Sequence, residues 1–145
     1  MKFNNIISRI KEINPNIKFV GQFDDNNKKH GYWEEYYDNG NLYSKGNHIN
    51  GERNGYWEYY DNGNILYKGN YLNGKRDGYW EYYWGNGTIR AKGNYLNGKE
   101  DGYWIVYWGN GSVKYCGTYN NGKMLSDFLF YKTNGKLTNN FNQYY

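Results

Sequence analysis

The chain has one cysteine and one proline in 145 residues. Cys116 alone can form no internal disulfide and no cysteine-based metal cluster. The two histidines, His30 and His48, stand far apart with no acid at a ligand or triad spacing, so neither a metal site nor Ser-His-Asp chemistry is expected. No window approaches the ~18 consecutive apolar residues of a membrane-spanning helix. Charge of one sign is never concentrated. The net +4 comes from interspersed Lys, Arg, Asp and Glu, without the basic blocks that follow a phosphate backbone, and nucleic acid is not an expected partner. Aliphatic residues are scarce too: 38% of residues are hydrophobic and 22% of residues are aromatic, more than half of that share, so a two-layer core of Leu, Ile and Val is excluded. At the N-terminus, Arg9, Lys11 and Glu12 interrupt the isoleucines that a secretory core would need, which points to the cytoplasm.

What is abundant is glycine and tyrosine, 20 of each, and they recur in order. A unit opening Gly-Tyr-Trp begins at Gly31, Gly55, Gly78 and Gly102, giving full copies over 31–54, 55–77, 78–101 and 102–125. Degenerate copies occupy 17–30 and 126–141. A fixed period this short marks a repeat architecture with atypical ends. Residues 1–15 are set apart as a cap: Phe3, Ile6, Ile7, Ile10 and Ile13 lie on one stripe of a predicted helix over 2–13, which Pro15 ends. The array is expected over 16–141.

Asn-Gly recurs at Asn39, Asn50, Asn62, Asn73, Asn86, Asn97, Asn110, Asn121 and Asn134, between runs rich in Tyr, Trp, Ile and Thr. That is the strongest local signal for a β-hairpin, because both residues tolerate the positive φ of a tight turn. Two turns per unit predict an all-β fold, a single elongated antiparallel sheet of about five hairpins, roughly 50 Å long.

The repeats also fix a pairing register. Folding unit three about Asn86-Gly87 sets Glu81 opposite Lys92, Trp80 opposite Gly93 and Trp84 opposite Ile89; unit one gives Glu34 with Lys45, Trp33 with Gly46 and Tyr37 with Leu42. Unit two gives Glu58 with Lys68 and Trp57 with Gly69. In unit four Ile105 meets Cys116, so acid and base vanish together, while Trp104 still meets Gly117. Strand alternation then sorts two faces. One carries the structural set, Trp33, Trp57, Trp80 and Trp104 over Gly46, Gly69, Gly93 and Gly117, with Leu42, Ile65, Ile89 and Val113 and then His48, Tyr71, Tyr95 and Tyr119. This is the expected core, to be closed by curling of the sheet or by the N-terminal helix. The other carries the Glu/Lys pairs and Tyr32, Tyr56, Tyr79 and Tyr103.

The run Gly69-Asn70-Tyr71-Leu72-Asn73-Gly74-Lys75-Arg76-Asp77-Gly78-Tyr79-Trp80 resembles the MORN (membrane occupation and recognition nexus) repeat, whose core reads Gly-x-aromatic-x-Asn-Gly-Lys-x-x-Gly, and Asn86-Gly87 matches its closing turn. The likeness spans Gly21 to Gly135. It is nearest the bacterial-type variant with Tyr-Trp-x-x-Tyr-Tyr, often found in proteins labelled antitoxins. The resemblance implies a MORN-like solenoid of hairpins without catalysis or cofactor, acting as a scaffold that binds a protein, in one form as an antitoxin or immunity protein. Family members that bind phosphoinositides make a peripheral membrane role an alternative, and Trp57 and Trp80 depart from the glycine-rich pattern there.

Candidate partner-binding residues are Tyr32, Tyr56, Tyr79 and Tyr103, with Lys45, Lys68 and Lys92. Aromatic repeats of this length also suit a carbohydrate- or choline-binding module, a second alternative. An open end strand after Phe141 makes a homodimer through the sheet ends a further expectation.

Overall fold

The computed structural model describes residues 18–138. The expected helix over 2–13 and the end of the array after Phe141 lie outside these residues. Among the described residues thirteen strands form in sequence: β1 Phe19–Phe23, β2 Lys29–Tyr36, β3 Leu42–Ile49, β4 Glu52–Asp61, β5 Asn64–Leu72, β6 Lys75–Tyr83, β7 Ile89–Leu96, β8 Lys99–Glu100, β9 Gly102–Tyr107, β10 Val113–Asn120, β11 Lys123–Met124, β12 Leu129–Tyr131 and β13 Leu137–Thr138. They make one open antiparallel sheet in which each strand pairs with its neighbours in the chain; the path ends on β1 and β13, with β8 and β11 as short extensions against β7 and β10.

The Asn-Gly turns are of two kinds. At Asn50, Asn62, Asn73, Asn97 and Asn121 the asparagine and its glycine both adopt positive φ, as a two-residue type I′ turn requires. At Asn39, Asn86, Asn110 and Asn134 only the glycine does. Those turns are longer: Trp84 and Thr88 close the unit-three loop by N–H to C=O at 2.8 Å, and the Asn86 carboxamide oxygen accepts from the Thr88 amide at 3.0 Å. Unit two has one residue fewer here and so uses the tight form.

The predicted register holds through the middle of each hairpin. Trp33 is opposite Gly46, Trp57 opposite Gly69, Trp80 opposite Gly93 and Trp104 opposite Gly117. Near the turn that closes each hairpin it shifts by one, so Leu42 faces Tyr36, Ile65 faces Tyr60, Ile89 faces Tyr83 and Val113 faces Tyr107. A one-residue slip moves a side chain to the other face. The four aliphatics therefore belong to the Glu/Lys face, contrary to expectation, and Leu42 packs there with Val20, Tyr36 and Tyr32.

The indole face is the core. Trp33, Trp57 and Trp80 are wholly buried and Trp104 nearly so. Tyr59, Tyr71, Tyr82 and Tyr95 are buried among them. Cations roof part of this face: Lys29 lies 4.6 Å from the ring centre of Trp33, Arg53 5.1 Å from Trp57 and Arg76 4.9 Å from Trp80. Their stems cover ring surface while their charges meet the π faces.

The glycine over which each indole lies is not the one in its own hairpin. A Cβ on Gly46 would stand 2.3 Å from Trp57, one on Gly69 2.3 Å from Trp80 and one on Gly93 2.2 Å from Trp104. Each indole leans back onto the preceding hairpin. Its N–H follows, Trp57 to the carbonyl of Asn47 at 3.0 Å, Trp80 to Asn70 at 3.0 Å and Trp104 to Asn94 at 2.9 Å. At these joints the ladder breaks register, between Lys45 and Asn47 and between Gly69 and Tyr71, facing the opening glycines Gly55 and Gly78, both at φ 73°. Such bulges tighten local twist, and here the indole seals them.

Candidate binding surfaces

The Glu/Lys face obeys the same rule of reaching between hairpins. Lys45 pairs with Glu58 at 2.8 Å and Lys68 with Glu81 at 3.2 Å. The expected partners within one hairpin, Glu34 for Lys45 and Glu58 for Lys68, are opposite in register but do not form the ion pair. Lys92 faces Ile105 across its joint and lies over Tyr107, 6.0 Å from the ring centre.

Each ladder glutamate is also bracketed by phenols two residues away on its own strand. Tyr60 and Tyr83 donate to Glu58 and Glu81 at 2.6 Å, with Tyr56 and Tyr79 donating at 3.4 and 3.3 Å. Those bonds to the carboxylate form help hold the Glu58 and Glu81 pKa values below the usual range, against burial, which raises both. The acid and base of the ladder are therefore satisfied internally, and what remains outward is ring surface.

The four candidate tyrosines are not equivalent. Tyr56, Tyr79 and Tyr103 are 49%, 47% and 53% exposed, whereas Tyr32 is half-buried against Val20 and Tyr36 and donates to Glu34 at 3.0 Å. A recess of about 180 Å³ brings Tyr32, Lys45, Tyr56 and Glu58 together.

A second row, of aliphatics, joins the phenols. Ile49, Leu72 and Leu96 are 49%, 52% and 53% exposed. Asn70 pairs with Tyr56 and Asn94 with Tyr79, and Leu72 and Leu96 follow two residues later, hence on the same face as the phenols. The signal was present: they precede the tight Asn-Gly turns at a fixed position in each unit, where alternation from Tyr71 and Tyr95 turns them outward.

The remaining structural set is placed as described: indoles and glycines form the core. Among the described residues no group of His, Cys, Asp and Glu could hold a metal ion, and no helix is long and apolar enough to cross a membrane. Cys116 is buried opposite Ile105.

A search of curated proteins finds no match. Among solved structures the chain is similar to a mutant of S. aureus TarM in complex with fondaparinux, alpha-GlcNAc-glycerol and UDP, at 10% identity and a TM-score of 0.44 over 83% of this chain and 23% of that one. A second TarM crystal structure matches at 12% identity and 0.44, over 85% and 23%. The chain thus spans under a quarter of these structures' length. The MORN repeat variant matches four times, over 29–50, 53–73, 76–97 and 100–121, more than half of the chain. Each matched segment starts two residues before an opening glycine and runs past a joint covered by a ring, an indole in the first three and Phe128 over Gly117 in the fourth. On those four in-phase copies and the hairpin sheet they build, the chain belongs to the family of the MORN repeat variant.

Proposed function

We propose that this array is a non-catalytic scaffold that binds one protein partner in the cytoplasm, along the face of Tyr56, Tyr79 and Tyr103. The observation that carries the reading is the double row of half-exposed phenols and aliphatics, Tyr56, Tyr79 and Tyr103 beside Ile49, Leu72 and Leu96. Contiguous apolar surface on a rigid sheet is costly to leave in water and marks an interaction site. Tyrosines fixed by hydrogen bonds at their tips lose little entropy on binding. In the antitoxin form of this reading the partner is a toxin whose activity the complex suppresses.

The other two readings have less support. The repeated indoles Trp33, Trp57, Trp80 and Trp104 are buried and cannot stack on sugar rings or cage choline, and Lys45 and Lys68 are committed to glutamates rather than presented to anionic lipid.

The test is affinity capture from the source cell, followed by light scattering of the recovered complex. One stoichiometric protein is expected with the wild-type array and none with Tyr56→Ser/Tyr79→Ser/Leu72→Ser, whose melting should be unchanged. Capture that survives the triple substitution would overturn the assignment to this face.

A further inference from the structure

The ladder of rings on the indole face breaks between units three and four. In unit two Tyr59 and Tyr67 face each other with ring centres 4.4 Å apart, and Tyr67 also meets Tyr82 of unit three at 5.8 Å. The position of Tyr67 is held by Ala91 in unit three, and that of Tyr82 by Val106 in unit four. These two small residues are themselves partners across the next joint. Two missing rings side by side leave a hollow of about 470 Å³, lined by Ala91, Val106, Trp84, Trp108, Tyr115 and the charged groups discussed next.

Those charges do not balance. On one side Arg76 donates to the Tyr95 hydroxyl at 3.4 Å, and Tyr95 donates to Glu100 at 3.4 Å, so that one carboxylate serves that guanidinium. On the other side Arg90 lies over Tyr82 and Trp84, at 5.7 and 5.6 Å, and Lys114 lies over Trp108 at 4.5 Å. The ion pairs of the described residues use Lys18, Lys29, Lys45 and Lys68 and include neither cation. The hollow is walled by ring faces and carries two positive charges in excess of its acid.

We infer that this hollow is a binding site for a small planar aromatic anion, an aryl carboxylate or aryl phosphate. Its volume falls in the range of small-molecule sites, roughly 300–1,000 Å³. Ring faces select a flat apolar body, and Arg90 and Lys114 supply charge-assisted hydrogen bonds to the anionic group. The site lies on the opposite face from the proposed protein-binding row and does not depend on it.

The probes are naphthoate, naphthyl phosphate, naphthol and naphthylmethylammonium, titrated into the full-length chain by calorimetry and by quenching of tryptophan emission. At least one anion should bind about tenfold or more tightly than naphthol, the ammonium should not bind, and the two anions compared identify which head group the site takes. Ala91→Tyr restores the ring that unit two carries and should abolish binding while the fold persists. Arg90→Met and Lys114→Met keep apolar stems and should each weaken the anion several-fold, leaving naphthol unchanged; Lys45→Met, on the other face, should change nothing.

Equal affinity for naphthol and the anions would overturn the proposal, as would unaltered binding in Ala91→Tyr. Should Ala91→Tyr fail to fold, unchanged anion affinity in both methionine variants overturns it. Displacement of the anion by an acidic peptide that itself binds more tightly would assign the hollow to a macromolecule and overturn it as well.

Discussion

Trp80 lies over Gly69, the glycine of the hairpin behind it, although its backbone is equally opposite Gly93 in its own. A Cβ at Gly69 would press on Cδ2 and Cε2 of that indole. Gly69→Ala should therefore cost about 3 kcal/mol, as overpacking does. The choice of neighbour is tested by double-mutant cycles in urea denaturation: Gly69→Ala with Trp80→Leu should couple by about 1 kcal/mol or more, and Gly93→Ala with Trp80→Leu by less than about 0.5. Reversed couplings would return the indole to its own hairpin.

Gly55 has a different reason for being glycine. It adopts φ 73° at a joint, and nothing lies within 4 Å of where a Cβ would stand. Gly55→Ala should lose only the left-handed penalty, about 1–2 kcal/mol, and less than Gly69→Ala. A loss equal to or above that of Gly69→Ala, measured by the same denaturation, would show that crowding rather than backbone conformation sets both positions.

The lysine ladder should couple forward. Lys68 and Glu81 are partly exposed, so their pair is expected to contribute no more than about 1 kcal/mol. A Lys68→Met/Glu81→Gln cycle should still show most of that, and a Lys68→Met/Glu58→Gln cycle close to none. Raising salt should erase the first.

His48 stands where Tyr71 and Tyr95 stand in later units, buried between Trp33 and Trp57. Burial, then the cations Lys29 and Arg53, bring its pKa down to about 4, against the pull of Glu35. The unfolded chain takes up that proton near pH 6.5. Stability from the neutral ring is therefore complete above about pH 6.5 and is lost as pH falls towards 4. Melting followed from pH 7 to 5 should drop more steeply for wild type than for His48→Tyr; parallel slopes would sink this account.

Much of this architecture was legible in residues that repeat. Asn-Gly at alternating intervals placed the turns, the recurrence of Trp80 opposite Gly93 placed the mid-hairpin register, and period-two alternation put the indoles inside. Legibility failed near the turns that close each hairpin, where a one-residue bulge moved Ile65 and Ile89 to the other face. A bulge costs one residue of register and leaves no mark in composition. The outward rows are half legible: the tyrosines stand out as a repeated aromatic position, while Leu72 and Leu96 reveal themselves only through alternation from the buried Tyr71 and Tyr95.

By itself the sequence determined that this chain is a row of antiparallel hairpins with tryptophan on the buried side, since turn chemistry and alternation are local properties. Only the tertiary structure decided which neighbour each side chain serves. A strand inside the sheet has partners on both sides at the same height, Gly69 and Gly93 for Trp80, Glu34 and Glu58 for Lys45, and pairing rules cannot rank them; the bulged joints do. The hollow beside Ala91 and Val106 is of the same kind, because neither residue is unusual alone and a site arises only where the sheet sets them side by side.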